Sequence, residues 1–597
     1  MHTKRSDNSA FLRQRLLCTL ALAAAALFIA MPAQAVDTYE VVIERNVSAT
    51  MRDGVTLKAD IYRPKADGKF PVLLTRTPYD KQFQASFAMK AAARGYVVIA
   101  QDTRGRFESA GEWYTFKNES QDGYDTVEWA ATLPYSNGKI GMFGGSYVGA
   151  TQYLAAIAHP PHLAGICPDV TASNYHDGWT YQGGALEQWF DESWSSGLAE
   201  NTMHRRVDAG WAPEASDRVL PLKDYPVLAA PSGEGIAKYF TDWLEHPSYD
   251  DYWKQISIED HYRQIQVPVF STGAWYDIFQ GGTLRNYVGL KTEAGTDAAK
   301  HGQRLLIYVG GHAGGPQQHK IGAVDFGSKA PIDRDEAMLR WYDWLLQGAA
   351  NGMDKEKPVK LFVMGRNEWR DEDDWPLARA KSTRYFLHSA GAANGLAAEG
   401  SLSTSQPAAE KPDQYVYDPN DPVATIGGPL CCGPLSTGIG PQDQRSVEAR
   451  GDVLIYTTPA FTHDTEVTGP ISLDLYASTS AIDTDFTGKL VDVWPNGFAQ
   501  NLTEGILRLR YRNSQEKPEL ANPGETYHLT VDLWSTSNVF LAGHKLRLEV
   551  SSSNFPRFDR NLNTGEEQAR ATRMIKATNV IYHDKLHPSA LILPLVP

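Results

Sequence analysis

One stretch constrains this chain more than any other: Lys139 to Phe143 reads as a short strand that runs straight into Gly144-Gly145-Ser146-Tyr147-Val148-Gly149. Behind it, "YVGATQYLAAIAH" reads as a helix with small residues where it would meet a sheet. A serine hydroxyl is a weak nucleophile unless a base takes its proton and donors hold the developing oxyanion. One way to present such a serine is a sharp turn between strand and helix, which needs glycines on both sides so that the backbone can double back. Ser146 meets that requirement.

The flanking sequence has the rhythm this turn requires. Val41 to Ile43 begins a strand, and "MRDGVTLKADIYRP" reads as a hairpin with Asp53-Gly54 at its turn. The apolar runs Pro71–Leu74 and Tyr96–Ala100 enclose a helical stretch, Ser86 to Arg94. That order marks a βαβ unit with a buried parallel sheet. "DGYDTVEWAATLP" is the next helix, and Leu163–Cys167 another strand. Residues 175–260 lack this alternation, are rich in Trp, Tyr, Asp and Glu, and read as a helical cap. Strand–loop segments return with "QVPVFSTGAWYD" and "QRLLIYVGGHAGG", and the amphipathic stretch Asp333–Leu346 follows. From about residue 356 the chain changes to many short alternating strands separated by Gly, Pro, Asn and Asp, the pattern of an all-β jelly roll. The expected architecture is therefore an α/β-hydrolase domain in two parts (36–174 and 261–355), a cap inserted at 175–260, and a C-terminal β-sandwich over 356–597. The Ala-, Gly-, Ser- and Pro-rich stretch from Ala390 to Pro434 reads as a long excursion.

A chain of 597 residues is too long for a single core. The first 35 residues stand apart from the fold. Lys4, Arg5, Arg13 and Arg15 precede the apolar run Leu16–Met31, and Ala33-Gln34-Ala35 supplies small residues at the positions a signal peptidase reads. The run is shorter than the roughly 20 residues of a bilayer-spanning helix. Cleavage near Ala35 and a periplasmic or secreted location are expected. Four cations and one anion leave with that segment, taking the net charge from −14 to −17. Such an anion is a poor partner for nucleic acid or anionic lipid. No pair among the four cysteines has zinc-ligand spacing. Neither metal nor cofactor is expected, and a homo-oligomer is compatible with the composition. In an oxidising compartment Cys431 could bridge to Cys432, or either could pair with Cys167.

If Ser146 is the nucleophile, the α/β-hydrolase order places an acid and then a histidine downstream, each in a loop after a strand. Asp277 ends "VPVFSTGAWYD" and His312 ends "RLLIYVGGH". His312 would act as base, and Asp277 would fix its tautomer and steady the imidazolium. His319, beside Lys320, is the rival base, better suited to the surface. The backbone N–H of Tyr147 would be one oxyanion donor. The hydroxyl of Tyr79, in the early loop "RTPYDK", would be the other. Trp179, Trp189 and Trp275 are candidates to line an apolar substrate pocket, their alternative role being to pack the cap onto the body.

Taken together, "TRTPYDK", "QDTRGR", "DTVEWAATLPYSNGKIGMFGGSYVG", "GAWYD", "GGH" and "LRWYDWLL" resemble the cocaine-esterase-like hydrolases. That group lies within the Xaa-Pro dipeptidyl-peptidase family, alongside α-amino acid ester hydrolases and glutaryl-cephalosporin acylases. The resemblance covers nearly all of the chain after residue 35. It implies the nucleophile at Ser146, an oxyanion donor at Tyr79 and the acid at Asp277. Two departures stand out. The family histidine commonly sits in a G-P-W-x-H loop, whereas Gly310-Gly311-His312 has neither Pro nor Trp, so His312 rests on its distance from the preceding strand. Amino-acid ester hydrolases carry acidic residues just after the aspartate to grip an ammonium, whereas Ile278, Phe279 and Gln280 stand here. A neutral or aromatic acyl group fits that absence.

The leading expectation is a serine hydrolase that cleaves small-molecule esters or amides through an acyl-enzyme. One alternative is release of Xaa-Pro dipeptides, which needs a site for a free amino terminus. The other is a polymer- or carbohydrate-binding protein with a vestigial triad.

Overall fold

The computed structural model describes residues 38–205, 218–225, 236–315, 317–432 and 438–597. The expected leader, residues 1–35, lies outside the described residues. A ten-stranded sheet forms the first domain. Its strands are β1 (Val41–Thr50), β2 (Thr56–Pro64), β3 (Phe70–Thr77), β4 (Val97–Asp102), β5 (Ser136–Gly145), β6 (Leu163–Asp169), β7 (Phe270–Ala274), β8 (Arg304–Tyr308), β9 (Val359–Val363) and β10 (Glu368–Glu372). Their spatial order is β1-β2-β4-β3-β5-β6-β7-β8-β9-β10. From β4 to β9 every neighbour is parallel, and antiparallel strands close both ends.

The central strands are apolar because both faces are covered. β4 is buried along its whole length, and β3 at all but its first residue. On one face the helices Glu119–Thr132 and Tyr147–Ile157 pack with Val72, Leu74, Ile99, Ile140 and Met142. On the other, the helices Ala85–Ala93 and Arg334–Gln347 cover Leu73, Val98, Phe143 and Leu306. This layering leaves the carboxyl ends of β3, β5, β7 and β8 facing one crevice, where open α/β sheets hold their ligands.

The cap fills the interval between β6 and β7. It comprises a two-residue hairpin (Tyr181–Gln182 with Ala185–Leu186), a long helix, Gln188–Arg205, and shorter helices at Lys238–Glu245 and Asp251–Lys254. Its aromatic residues join the core of the first domain: Trp179, Phe190, Trp194, Trp243 and Trp253 share one cluster with Tyr147 and Tyr175.

The C-terminal domain is all-β, with eleven strands around a separate core that includes Leu473, Leu475, Leu490, Val531, Leu548 and Leu591. Strand Thr465–Thr479 pairs with Tyr527–Phe540, Ala577–Tyr582 and Ala590–Val596. The first sheet runs past the expected division at 355/356, because β9 and β10 complete it. Period-two alternation cannot tell which sheet a strand joins, and β9 is claimed by β8. Just beyond β9, Met364 exchanges backbone hydrogen bonds with Ser537 and Val539, which fastens the two domains together. Cys431 and Cys432 form a disulfide, and Cys167 is free and buried.

Candidate active site

Ser146 ends β5 and caps the helix Tyr147–Ile157 with φ 61° and ψ −130°. A non-glycine residue in that region costs about 1–3 kcal/mol and persists only where its surroundings hold it. Here the Ser146 amide donates to Asp169 O at 2.9 Å. The flanking glycines are needed sterically: a Cβ on Gly144 would stand 2.3 Å from Val148 Cγ1, and one on Gly149 2.8 Å from Thr171.

Asp277 and His312 converge on that turn. His312 Nε2 lies 2.9 Å from Ser146 Oγ, and His312 Nδ1 lies 2.6 Å from Asp277 Oδ1. The second carboxylate oxygen of Asp277 accepts from the Phe279 amide at 3.1 Å. Asp277 is fully buried, and burial raises its carboxyl above the ordinary aspartate value, with His312 opposing the shift. The ring of Phe279 stands edge-on to His312 at 5.1 Å, and Trp179 stacks on Phe279 at 4.2 Å. The imidazole is thereby confined by a carboxylate on one side and an aromatic wall on another.

The loop carrying Asp277 is held from outside its own domain. Tyr276 Oη donates to Asn501 O at 3.0 Å, and Gln280 bonds the Ser535 backbone through both ends of its amide. Both acceptors belong to the all-β domain. Tyr276 N also donates to Gly310 O at 2.9 Å, which ties the Asp277 loop to the His312 loop.

Tyr79 reaches the same turn from the carboxyl end of β3. Its amide donates to Thr77 Oγ1, and Lys81 locks the loop through its backbone and ammonium, both on Asp102. The Tyr79 hydroxyl accepts from Trp194 Nε1 at 2.9 Å and has Ser146 and the Tyr147 amide as further hydrogen-bonding neighbours. Burial raises its pKa, so the phenol keeps its proton. The side chain of Tyr147 turns the other way: its hydroxyl accepts from Phe116 N at 2.7 Å and donates to Glu119 at 2.9 Å. Only its amide faces the serine. The Glu119 carboxylate is itself held by the fully buried Arg76.

A cavity of about 560 Å³ opens beside Tyr79, lined by Phe83, Phe107, Trp194, Leu198 and Cys432 among others. None of the three tryptophans expected in a substrate pocket lines it. Trp179 is a fully buried packing residue behind Phe279. Trp189, half-buried, begins the cap helix, where its amide donates to Pro556 O of the all-β domain. Trp275 lies in another cluster, 5.9 Å from Trp375, with its indole N–H on Phe362 O. Trp275 lies in the turn just beyond β7, where the period-two alternation of the strand no longer sets the direction of a side chain, so its nearness to Asp277 in sequence does not bring it to the acid's side. His319 pairs with Asp325 at the surface, away from Ser146. The lining residues Phe83 and Phe107 follow β3 and β4, so position after a parallel strand was the signal that could have found them.

A buried carboxylate, a histidine and a serine in hydrogen-bonded series, at the head of a parallel sheet, can move a proton off Ser146 while Tyr79 and the Tyr147 amide face the same point. This arrangement defines the class: a serine hydrolase of the α/β-hydrolase fold. The chain belongs to the X-Pro dipeptidyl-peptidase (S15) family. The family's model matches residues 53–314, and the model of the X-Pro dipeptidyl-peptidase C-terminal non-catalytic domain matches residues 351–592. Cocaine esterase of Rhodococcus sp. (strain MB1 Bresler) is 39% identical over 580 residues, covering 93% of this chain and 98% of that protein. Among solved structures, an aminopeptidase from the marine sediment archaeon Thaumarchaeota archaeon superposes with a TM-score of 0.78 at 25% identity, over 95% of this chain and 98% of that one. An α-amino acid ester hydrolase gives the same TM-score, 0.78, at 24% identity over 95% and 99%, a likeness of fold.

Proposed function

We propose that this protein is an esterase that cleaves small carboxylic esters with an apolar or aromatic acyl group, through an acyl-enzyme on Ser146. The observation that carries the reading is the continuous series Asp277–His312–Ser146 with Tyr79 beside it. His312 takes the Ser146 proton as the hydroxyl attacks the carbonyl. Asp277 holds the imidazolium that results, and the Tyr79 hydroxyl and Tyr147 amide donate to the oxyanion. His312 then returns the proton to the leaving alcohol. Water repeats the cycle to release the acid and free Ser146.

Ester rather than peptide cleavage is favoured by the residues that follow the acid. Ile278 is buried, Phe279 packs on His312 and Gln280 is spent on the all-β domain, so none offers a charge to a free amino terminus. The 39%-identical relative is named as an esterase, in the same direction. The basic, apolar and small-residue order of the first 35 residues supports export from the cytoplasm, and a disulfide between Cys431 and Cys432 suits an oxidising compartment.

Ser146→Ala tests the assignment. Turnover of p-nitrophenyl esters and labelling by a fluorophosphonate should both vanish, and labelling that survives the substitution would sink it. Assay of aryl esters beside a prolyl dipeptide anilide decides the substrate class. Faster release of the anilide would favour the dipeptidyl-peptidase alternative.

A further inference from the structure

The excursion between residues 390 and 434 brings Cys431 and Cys432 back against the active site. The nitrogen of His312 and the two Sγ atoms all lie within 4.8 Å of one another. Cys431 is buried, and Cys432 lines the cavity beside Tyr79. The pair is a disulfide here. Disulfide sulfurs are poor ligands, whereas two thiolates and an imidazole are a donor set that suits Zn²⁺ and similar cations.

We propose that reduction of Cys431–Cys432 turns this edge of the active site into a three-ligand site for a thiophilic divalent cation, which takes His312 as its third ligand and silences hydrolysis. The silencing rests on His312 being the base, as read above.

Two features of the geometry support capture at His312. Its Nδ1 is committed to Asp277 at 2.6 Å, which leaves the Nε2 lone pair as the one a cation can take. A carboxylate on the far nitrogen is also the arrangement that orients metal-bound histidines and raises their basicity. A cation on Nε2 occupies the position the Ser146 proton needs. The chemistry balances simply. A dithiol reductant gives two electrons and two protons to the S–S bond and is itself oxidised to a disulfide. The cation then displaces the two thiol protons to solvent, and its fourth position is left to water. In the oxidised protein Cys431 and Cys432 offer no thiolate, and the base is left to Ser146. The disulfide therefore protects the active site from the cation.

The test uses the full-length protein reduced with a phosphine, which leaves as its oxide with oxygen from water, and then desalted without air. Bound Zn²⁺ is counted with a chromophoric chelator, and aryl-ester hydrolysis and fluorophosphonate labelling are followed in parallel. The reduced protein should bind one Zn²⁺ per chain that the unreduced protein does not, and lose about 100-fold or more in rate, the scale of a general base. EDTA should restore the rate. C431S/C432S, compared with its own zinc-free rate, should be indifferent to zinc. Reduced protein alkylated with iodoacetamide makes the same comparison if that variant does not fold. His312→Ala should lose zinc affinity.

A zinc-free enzyme that labels and turns over, yet takes up no additional zinc after reduction, overturns the site alone. Equal inhibition of reduced and unreduced protein, or undiminished zinc affinity in His312→Ala, overturns it as well. Zinc uptake by a protein that never turns over or labels supports the site and overturns the esterase reading.

Discussion

The indole N–H of Trp194 donates to the phenolic oxygen of Tyr79 at 2.9 Å, so a residue of the cap fixes the hydroxyl of a residue in the loop after β3. The same hydroxyl has Ser146 and the Tyr147 amide as its neighbours at the turn, so the indole holds it where the oxyanion would form. Tyr79→Phe should lower kcat by about 10²–10³-fold, the scale of one oxyanion donor. Trp194→Phe keeps the aromatic packing and removes only the N–H. It should lower kcat by a smaller factor with KM little changed, as steady-state kinetics on an aryl ester would show.

Asp277 is costly to the fold and needed by the chemistry. Its carboxyl is raised by burial, so the folded state disfavours the charge, and stability falls as pH rises from the unfolded aspartate value toward the folded one. Above that window the penalty stays. Asp277→Asn should therefore keep or raise the thermal midpoint at neutral pH while losing about 10⁴-fold in kcat through the wrong imidazole tautomer. Calorimetry beside kinetics checks both halves, and a large loss of stability would contradict the first.

The Asp277 loop is clamped by the C-terminal domain at Tyr276 and Gln280. Gln280→Ala should reduce kcat several-fold, in the range of about 10-fold, because a displaced acid misaligns His312. Its KM should move little, since Gln280 does not line the cavity. A change confined to KM would show that the clamp shapes substrate binding instead.

Glu187 belongs to the cap, just before the helix Gln188–Arg205, and meets Arg557 of the all-β domain at 3.2 Å, while Arg557 also holds Glu504 at 2.7 Å. Burial dominates and raises the Glu187 carboxyl from 4.5 to about 7. A raised acid contributes most below its unfolded value, and that contribution declines as pH rises toward the folded value. Glu187→Gln should thus gain on the wild type in thermal midpoint between pH 5 and pH 8. An unchanged gap between the two proteins at both pH values would refute this origin.

Much of the first sheet was legible because the sequence is locally consistent. Apolar runs with glycine-marked ends became β3, β4 and β5, and the helix after Ser146 begins where small residues begin. Chain order and position after a strand were enough to single out Asp277 and His312, since in a parallel sheet every strand end reaches the same edge. The tryptophans were harder. Trp179, Trp189 and Trp275 are alike as residues, and their different surroundings arise from contacts with Phe279, Pro556 and Trp375, far away in the chain. The same holds for β9, whose alternation suits either domain until β8 pairs with it.

The sequence by itself determined the class of chemistry: a serine in a glycine-bound turn, with an acid and a histidine following in order. Such signals are local, set by backbone sterics and by the period of a strand or helix. What only the tertiary structure decided is the set of partners that come from distant segments: Trp194 on Tyr79, Asn501 and Ser535 on the Asp277 loop, and the Cys431–Cys432 pair against His312. Each joins groups more than one hundred residues apart, where no periodicity reaches and packing alone chooses the neighbour.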